Sequence, residues 1–144
     1  MDNENGVGED SFVRDWSEFL DKRFVYAVVG VSSNHEKWGY KVYRELRDAG
    51  FKVYPINPNH RYIDGDRCYP KVSTLPVKPD IVVTVVPPSI AYKVVEECSK
   101  LGVNRVWFQP GSESEEAIEF CRRHRIKAIY GACLVVDGLG RGFD

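Results

Sequence analysis

The chain predicts an α/β fold, a parallel sheet of about five strands with helices on both faces. Two observations carry this. The run Ile81–Val86 (IVVTVV) is apolar and β-branched without in–out alternation, the signature of a strand buried on both faces in the middle of a parallel sheet. Similar runs alternate along the chain with segments whose apolar residues recur at helical spacing, and that alternation builds parallel strands joined by crossover helices.

Each element has its own signal. Phe12, Val13, Trp16, Phe19 and Leu20 fall at helical spacing behind Ser11, predicting an amphipathic helix packed on the sheet. Phe24–Val29 reads as the first strand. Val42, Tyr43 and Leu46 mark one face of the next helix, which Gly50 ends in a left-handed cap. Lys52–Ile56 is the second strand. Asn57–Tyr69 shows no periodicity and contains the turn signal Asp64-Gly65. After Ile81–Val86, Pro87-Pro88-Ser89 stops the strand and opens a helix that carries Ile90, Ala91, Val94, Val95, Cys98 and Leu101 and stops at Gly102. Arg105–Phe108 is the fourth strand. Ser112 and Glu115 are read as a capping box for a helix through His124. Ile126–Tyr130 is the fifth strand, and 131–144 is a glycine-rich end. Residues 1–10 are expected to be a flexible acidic tail, and 11–144 one Rossmann-like, doubly wound domain.

The charge distribution narrows the function. The first ten residues hold four acids and no base, so the net charge of −1 leaves about +3 on residues 11–144. That is too little for a nucleic-acid binder, which shows a strong basic stripe, yet it suits a small anionic ligand. No apolar stretch approaches the ~20 residues of a membrane span, and the N-terminus lacks a signal peptide's basic and apolar regions, so a cytoplasmic protein is expected. Cys68, Cys98, Cys121 and Cys133 form no CxxC pair, and the three histidines have no ligand-like spacing to them. Neither a metal site nor a disulfide framework is expected. No Ser–His–acid order or paired carboxylate site is evident either, and no catalytic set is expected.

The most informative segment is Val25–Lys41. An apolar run ends in Gly30, passes through Ser32 and Ser33, and meets Lys37 and Gly39 before a helix begins. A glycine lets a phosphate approach the backbone, serine hydroxyls donate to it, and a helix start supplies N–H groups at the positive end of a dipole. In an open parallel sheet the ligand lies across the carboxyl ends of the strands. The loops that matter are therefore 30–39, 57–61, 86–89, 109–112 and 131–133. Nicotinamide dinucleotides fit poorly: the first loop lacks G-x-G-x-x-G, and the second strand ends in Ile56-Asn57-Pro58, not in the acid that holds a ribose hydroxyl. His60 and Arg61 follow closely and would accept a phosphorylated ribose, which leaves an NADP-dependent oxidoreductase or a regulatory dinucleotide-binding protein as the alternative.

The run from Val28 to Pro58 (G-x-S, K-x-G, V-x-P-I-N-P), VVPPS at Val85–Ser89 and VWFQPGSES at Val106–Ser114 occur in an order that resembles the small stand-alone CoA-binding proteins of the CoA-binding domain superfamily. That superfamily shares its fold with the nucleotide-binding domain of the succinyl-CoA synthetase α subunit. The resemblance spans about Phe24–Val136 and implies a module that binds coenzyme A or an acyl-CoA. It implies that Gly30, Ser32, Ser33 and Lys37 face phosphates, that Asn57, Pro58 and Arg61 border the adenosine end, and that Val86, Pro87 and Pro88 line the path of the pantetheine arm. A side chain at Gly30 is then expected to block the ligand while leaving the chain folded. Ligase relatives add a second α-subunit domain with a phosphorylated histidine and an ATP-grasp subunit, so acyl-CoA synthesis by these 144 residues alone is not expected. Many relatives carry Asp-Arg-Cys after the last strand, where this chain has Gly131-Ala132-Cys133.

Overall fold

The computed structural model describes residues 16–141. Five parallel strands form the sheet: β1 (Val25–Val29), β2 (Lys52–Ile56), β5 (Ile81–Thr84), β6 (Arg105–Phe108) and β7 (Lys127–Ile129), in the order β2-β1-β5-β6-β7. The chain leaves β1 in one direction to make β2, then crosses back to place β5 on the other side. The strand order therefore reverses at the β1–β5 seam, and a crevice opens there between the carboxyl ends.

The strands alternate their side chains between two apolar layers. Tyr26, Val28, Ile81, Val83, Trp107 and Ile129 pack against α1 (Trp38–Asp48) and against Leu134 and Val135 of the C-terminal segment. Ala27, Val29, Val82, Val106, Phe108 and Ala128 pack against α2 (Pro88–Leu101) and α3 (Glu115–Arg123). Both faces are covered, which is why the central strands read as unbroken apolar runs. Pro88 stands at the first turn of α2, where its missing N–H costs nothing, and Gly102 closes that helix with φ 79°.

Four expectations need correcting. Of the N-terminal helix, residues 11–15 lie outside the described residues, as does the 1–10 tail; within them Trp16–Glu18 makes one 3-10 turn, not a helix. The third and fifth strands are shorter than their apolar runs: β5 ends at Thr84, although the Val85 N–H still donates to the Val29 carbonyl at 2.9 Å, and the last strand ends at Ile129. Asn57–Tyr69 is not wholly irregular. Tyr62–Ile63 (β3) and Asp66–Arg67 (β4) form a small antiparallel hairpin about Asp64-Gly65, held to α1 by Tyr40 donating to Asp64 and Tyr43 donating to Asp66. Finally, the cap of α3 is Ser114, whose Oγ accepts from the Ala117 N–H at 3.1 Å. Ser112 instead makes tertiary contacts. It is buried, 2.8 Å from Thr84 Oγ, and donates to the Val86 carbonyl at 2.7 Å.

Candidate functional site

Gly30 ends β1 with φ 106°, a conformation that favours glycine. Its N–H and that of Val31 both donate to the Ile56 carbonyl, at 2.9 and 3.3 Å, so the loop leaves the sheet anchored to the end of β2. Contrary to expectation, the space beside Gly30 is filled by protein. A Cβ there would lie 2.5 Å from the Val85 carbonyl oxygen and 2.8 Å from Val86 Cγ1. The glycine is thus needed to bring the β1 and β5 loops together across the crevice, and a valine at this position would disturb the fold as well as any ligand.

The loop then winds in a series of side-chain-to-backbone turns. Ser32 Oγ accepts from the Asn34 N–H at 3.0 Å, and Asn34 Oδ1 accepts from the Glu36 N–H at 2.9 Å. Ser33 and Lys37 are exposed and Ser32 half-buried. Gly39, in the first turn of α1, presses on the loop so closely that a Cβ would sit 2.0 Å from the Gly30 carbonyl oxygen.

Helix ends distinguish this region from the rest of the edge. α1 starts after Lys37 and α2 after Pro87, and neither has a side-chain cap. α3, whose start shares a recess with Pro88 and Ser89 of α2, is capped by Ser114. Two positive helix ends without a side-chain acceptor therefore flank the crevice, an arrangement suited to an anion.

The other expected residues divide into two groups. Val86, half-buried, and the exposed Pro87 and Pro88 form the facing wall of the crevice. Asn57 is a brace: its Nδ2 donates to the Val31 carbonyl and its Oδ1 accepts from the Asn59 N–H, both at 2.8 Å. Pro58 stands on a ridge between two recesses. One, of 450 Å³, also takes in His60, Arg61 and Arg67. The other, of 590 Å³, runs between the ends of β1 and β2 and the side of α2; its floor includes Val29, Ile56 and Val72, and its rim carries Lys71, Lys93 and Lys100. Sequence reasoning misses those lysines, because they come from a turn and a helix flank that only the fold brings together. Two acids, Glu96 and Glu97, line the same recess, and Glu97 accepts from the Ser73 N–H at 3.0 Å.

Beyond β6 and β7 the edge is held by Gln109. Its Oε1 accepts from the Leu134 N–H at 2.7 Å and its Nε2 donates to Cys133 Sγ at 3.3 Å. Cys133 is half-buried, while Cys68, Cys98 and Cys121 are buried. Burial pushes the Cys121 thiol up to about 12 and raises those of Cys98 and Cys68 as well, keeping all three protonated. Among the described residues no group of three or more His, Cys, Asp or Glu side chains is placed to hold a metal ion, and no helix is long and apolar enough to cross a membrane.

Comparison with known proteins places this chain in a family. The chain is 34% identical over 116 residues to the ADP-forming acetate–CoA ligase of Methanocaldococcus jannaschii, covering 75% of the chain but 16% of the ligase. It therefore spans about a sixth of that relative's length. A conserved hypothetical protein from Pyrococcus furiosus superposes with a TM-score of 0.76 at 38% identity, over 79% of this chain and 98% of that one. Acetyl-coenzyme A synthetase 1 of Ca. Korarchaeum cryptofilum, solved with phosphate and ADP, superposes with a TM-score of 0.67 at 32% identity over 84% of this chain and 28% of its own. The family model described as a CoA binding domain matches residues 25–138, from the first strand through the turn that follows the last. The chain belongs to that CoA-binding domain family.

Proposed function

We propose that this protein binds coenzyme A or an acyl-CoA across the carboxyl edge of its sheet. The observation that carries the reading is the pair of helix starts without side-chain caps on either side of the β1–β5 crevice, beside a loop that offers Ser32, Ser33 and Lys37. The pyrophosphate belongs there. The adenosine end then lies toward Pro58, where lysines and arginines on both sides of the ridge meet the 3′-phosphate. The pantetheine arm runs the other way, past Val86, Pro87 and Pro88, whose apolar surfaces offer it contact. The family membership and the ligase relatives support the same ligand.

Isothermal titration with CoA, dephospho-CoA, NAD and NADP tests the reading. CoA binds in the micromolar range or tighter and NAD poorly. Removing the 3′-phosphate weakens binding about tenfold, the size of one charge-assisted contact of about 1.5 kcal/mol. Equal affinity for CoA and dephospho-CoA would remove the role given to the basic recesses. NADP binding as tight as CoA, favoured by the His60–Arg61–Arg67 recess, would replace the reading with a dinucleotide one.

A further inference from the structure

A third recess, of 330 Å³, lies on the side of the crevice away from Pro58, at the ends of β5, β6 and β7. Its apolar walls are Trp38, Val85, Pro110 and Val136. Trp38 is 45% and Val136 43% exposed, so two large apolar side chains stand in water at the mouth of one cavity. The polar groups around it are already in use. Gln109 serves Leu134 and Cys133, and Asp137 Oδ2 accepts from the Cys133 N–H at 2.7 Å. Asp137 is the single carboxylate in this lining, which contains no Lys, Arg or His.

Two residues of the recess lie next to the proposed phosphate site. Trp38 is the first residue of α1, immediately after Lys37, and Val85 is the residue whose carbonyl faces Gly30. A CoA molecule with its phosphates at the start of α1 and its adenosine toward Pro58 sends its sulfur end toward β6 and β7. We propose that this recess receives the acyl group of a CoA thioester, and that it selects a short, neutral, apolar acyl chain over one ending in a carboxylate. The inference rests on the CoA reading above and adds the class of thioester. The walls supply apolar contact, a volume of this size sits at the small end of ligand cavities, and the Asp137 carboxylate, the one charged side chain of the lining, repels a second negative charge, while the Lys41 ammonium stands outside the lining, 5.3 Å from the Trp38 ring centroid.

Titration of the full chain with CoA, acetyl-CoA, butyryl-CoA and succinyl-CoA separates this inference from the reading it rests on. Each methylene buried is worth about fourfold in affinity, so butyryl-CoA binds about tenfold or more tighter than CoA, acetyl-CoA falls between them, and succinyl-CoA binds at least tenfold more weakly than butyryl-CoA. Val136→Asp brings the butyryl-to-CoA affinity ratio close to one. Asp137→Asn keeps an acceptor for the Cys133 N–H and narrows the gap between succinyl-CoA and butyryl-CoA. Thermal melts of both variants check that they are folded, and the ligand series on the parent chain decides the matter if either is not. CoA and butyryl-CoA binding equally tightly overturns the recess and leaves the CoA reading standing. Succinyl-CoA binding as tightly as butyryl-CoA overturns the selection by charge. No binding of any of the four overturns both.

Discussion

Replacing Gly39 with alanine sets two effects of known size against each other. Gly39 lies in the first turn of α1 and has an ordinary helical backbone, so helix propensity alone favours alanine by up to about 1 kcal/mol. Packing says the opposite. The new Cβ would lie 2.0 Å from the Gly30 carbonyl oxygen, 2.8 Å from the Gly30 carbonyl carbon and 3.2 Å from Val31 Cα. The first two contacts are far inside the ~3.5 Å at which non-bonded heavy atoms rest, and all three are with backbone, which cannot rotate away like a side-chain tip. Relief requires the helix start and the β1 loop to separate. That strains the paired bonds from Gly30 and Val31 to the Ile56 carbonyl. Overpacking typically costs about 1–3 kcal/mol, and backbone contacts this short belong in the upper part of that range. The net expectation is a loss of about 2 kcal/mol and a fall in Tm of several degrees. CoA affinity is expected to fall further than stability does, because the displaced atoms belong to the loop proposed to hold the phosphates. Differential scanning calorimetry and CoA titration measure the two effects. A Gly39→Ala protein at least as stable as its parent, with unchanged CoA affinity, would refute the close packing of loop on helix.

Two other outcomes follow from the same geometry. Lys37→Ala leaves Tm unchanged, since Lys37 is exposed, but weakens CoA binding several-fold and flattens its salt dependence; parallel salt profiles for parent and variant would take Lys37 out of the phosphate site. Burial pushes the Tyr26 phenol from its usual 10.0 to about 12, while its hydroxyl donates to the Phe19 carbonyl. The folded pKa lies above the unfolded one, so this stabilisation is complete below pH 10 and drains away as pH rises toward 12. Tyr26→Phe therefore makes the fall in urea midpoint above pH 10 shallower without abolishing it, because burial also raises Tyr43; identical profiles would contradict the buried phenol.

The parts of the fold legible in the sequence are those decided locally. Lys52–Ile56 and Arg105–Phe108 are legible to the residue because apolar runs bounded by Gly50 and Gly102 leave little choice of frame. The ends of α2 are legible for a similar reason, since Pro88 and Gly102 act through their own backbone geometry. The hairpin at Tyr62–Arg67 is not legible. Strands of two residues have no periodicity, and this pair is fixed by tyrosines about twenty positions earlier in the chain. Ser112 illustrates the limit of capping patterns. Its spacing to Glu115 satisfies the motif, but Thr84 and the Val86 carbonyl claim its hydroxyl, leaving Ser114 to cap.

The candidate site divides along the same line. Its first loop is visible because Gly30, Lys37 and Gly39 follow directly on a strand. Yet the structural duty of Asn57, the lysines of the 590 Å³ recess and the Trp38–Val136 pair all depend on contacts between distant segments.

Trp107 anchors the segment Gly131-Ala132-Cys133 to the sheet. This fully buried residue on β6 donates its indole N–H to the Ala132 carbonyl at 2.9 Å, and its ring lies so close to Gly138 that a Cβ there would come within 3.0 Å of it. On its other sides it meets Trp16, with ring centroids 5.5 Å apart, and Phe19 at 6.1 Å. Trp107 therefore ties both ends of the described chain to the sheet, and Ala132 is itself buried in the same apolar layer. Gln109, two residues further along and past the end of β6, then holds the Leu134 N–H and Cys133 Sγ. One strand thus fixes where Cys133, Val136 and Asp137 stand at the carboxyl edge. If CoA binds as proposed, the loop after β1 offers the phosphate contacts, and the residues on and just beyond β6 place the groups nearest the sulfur end.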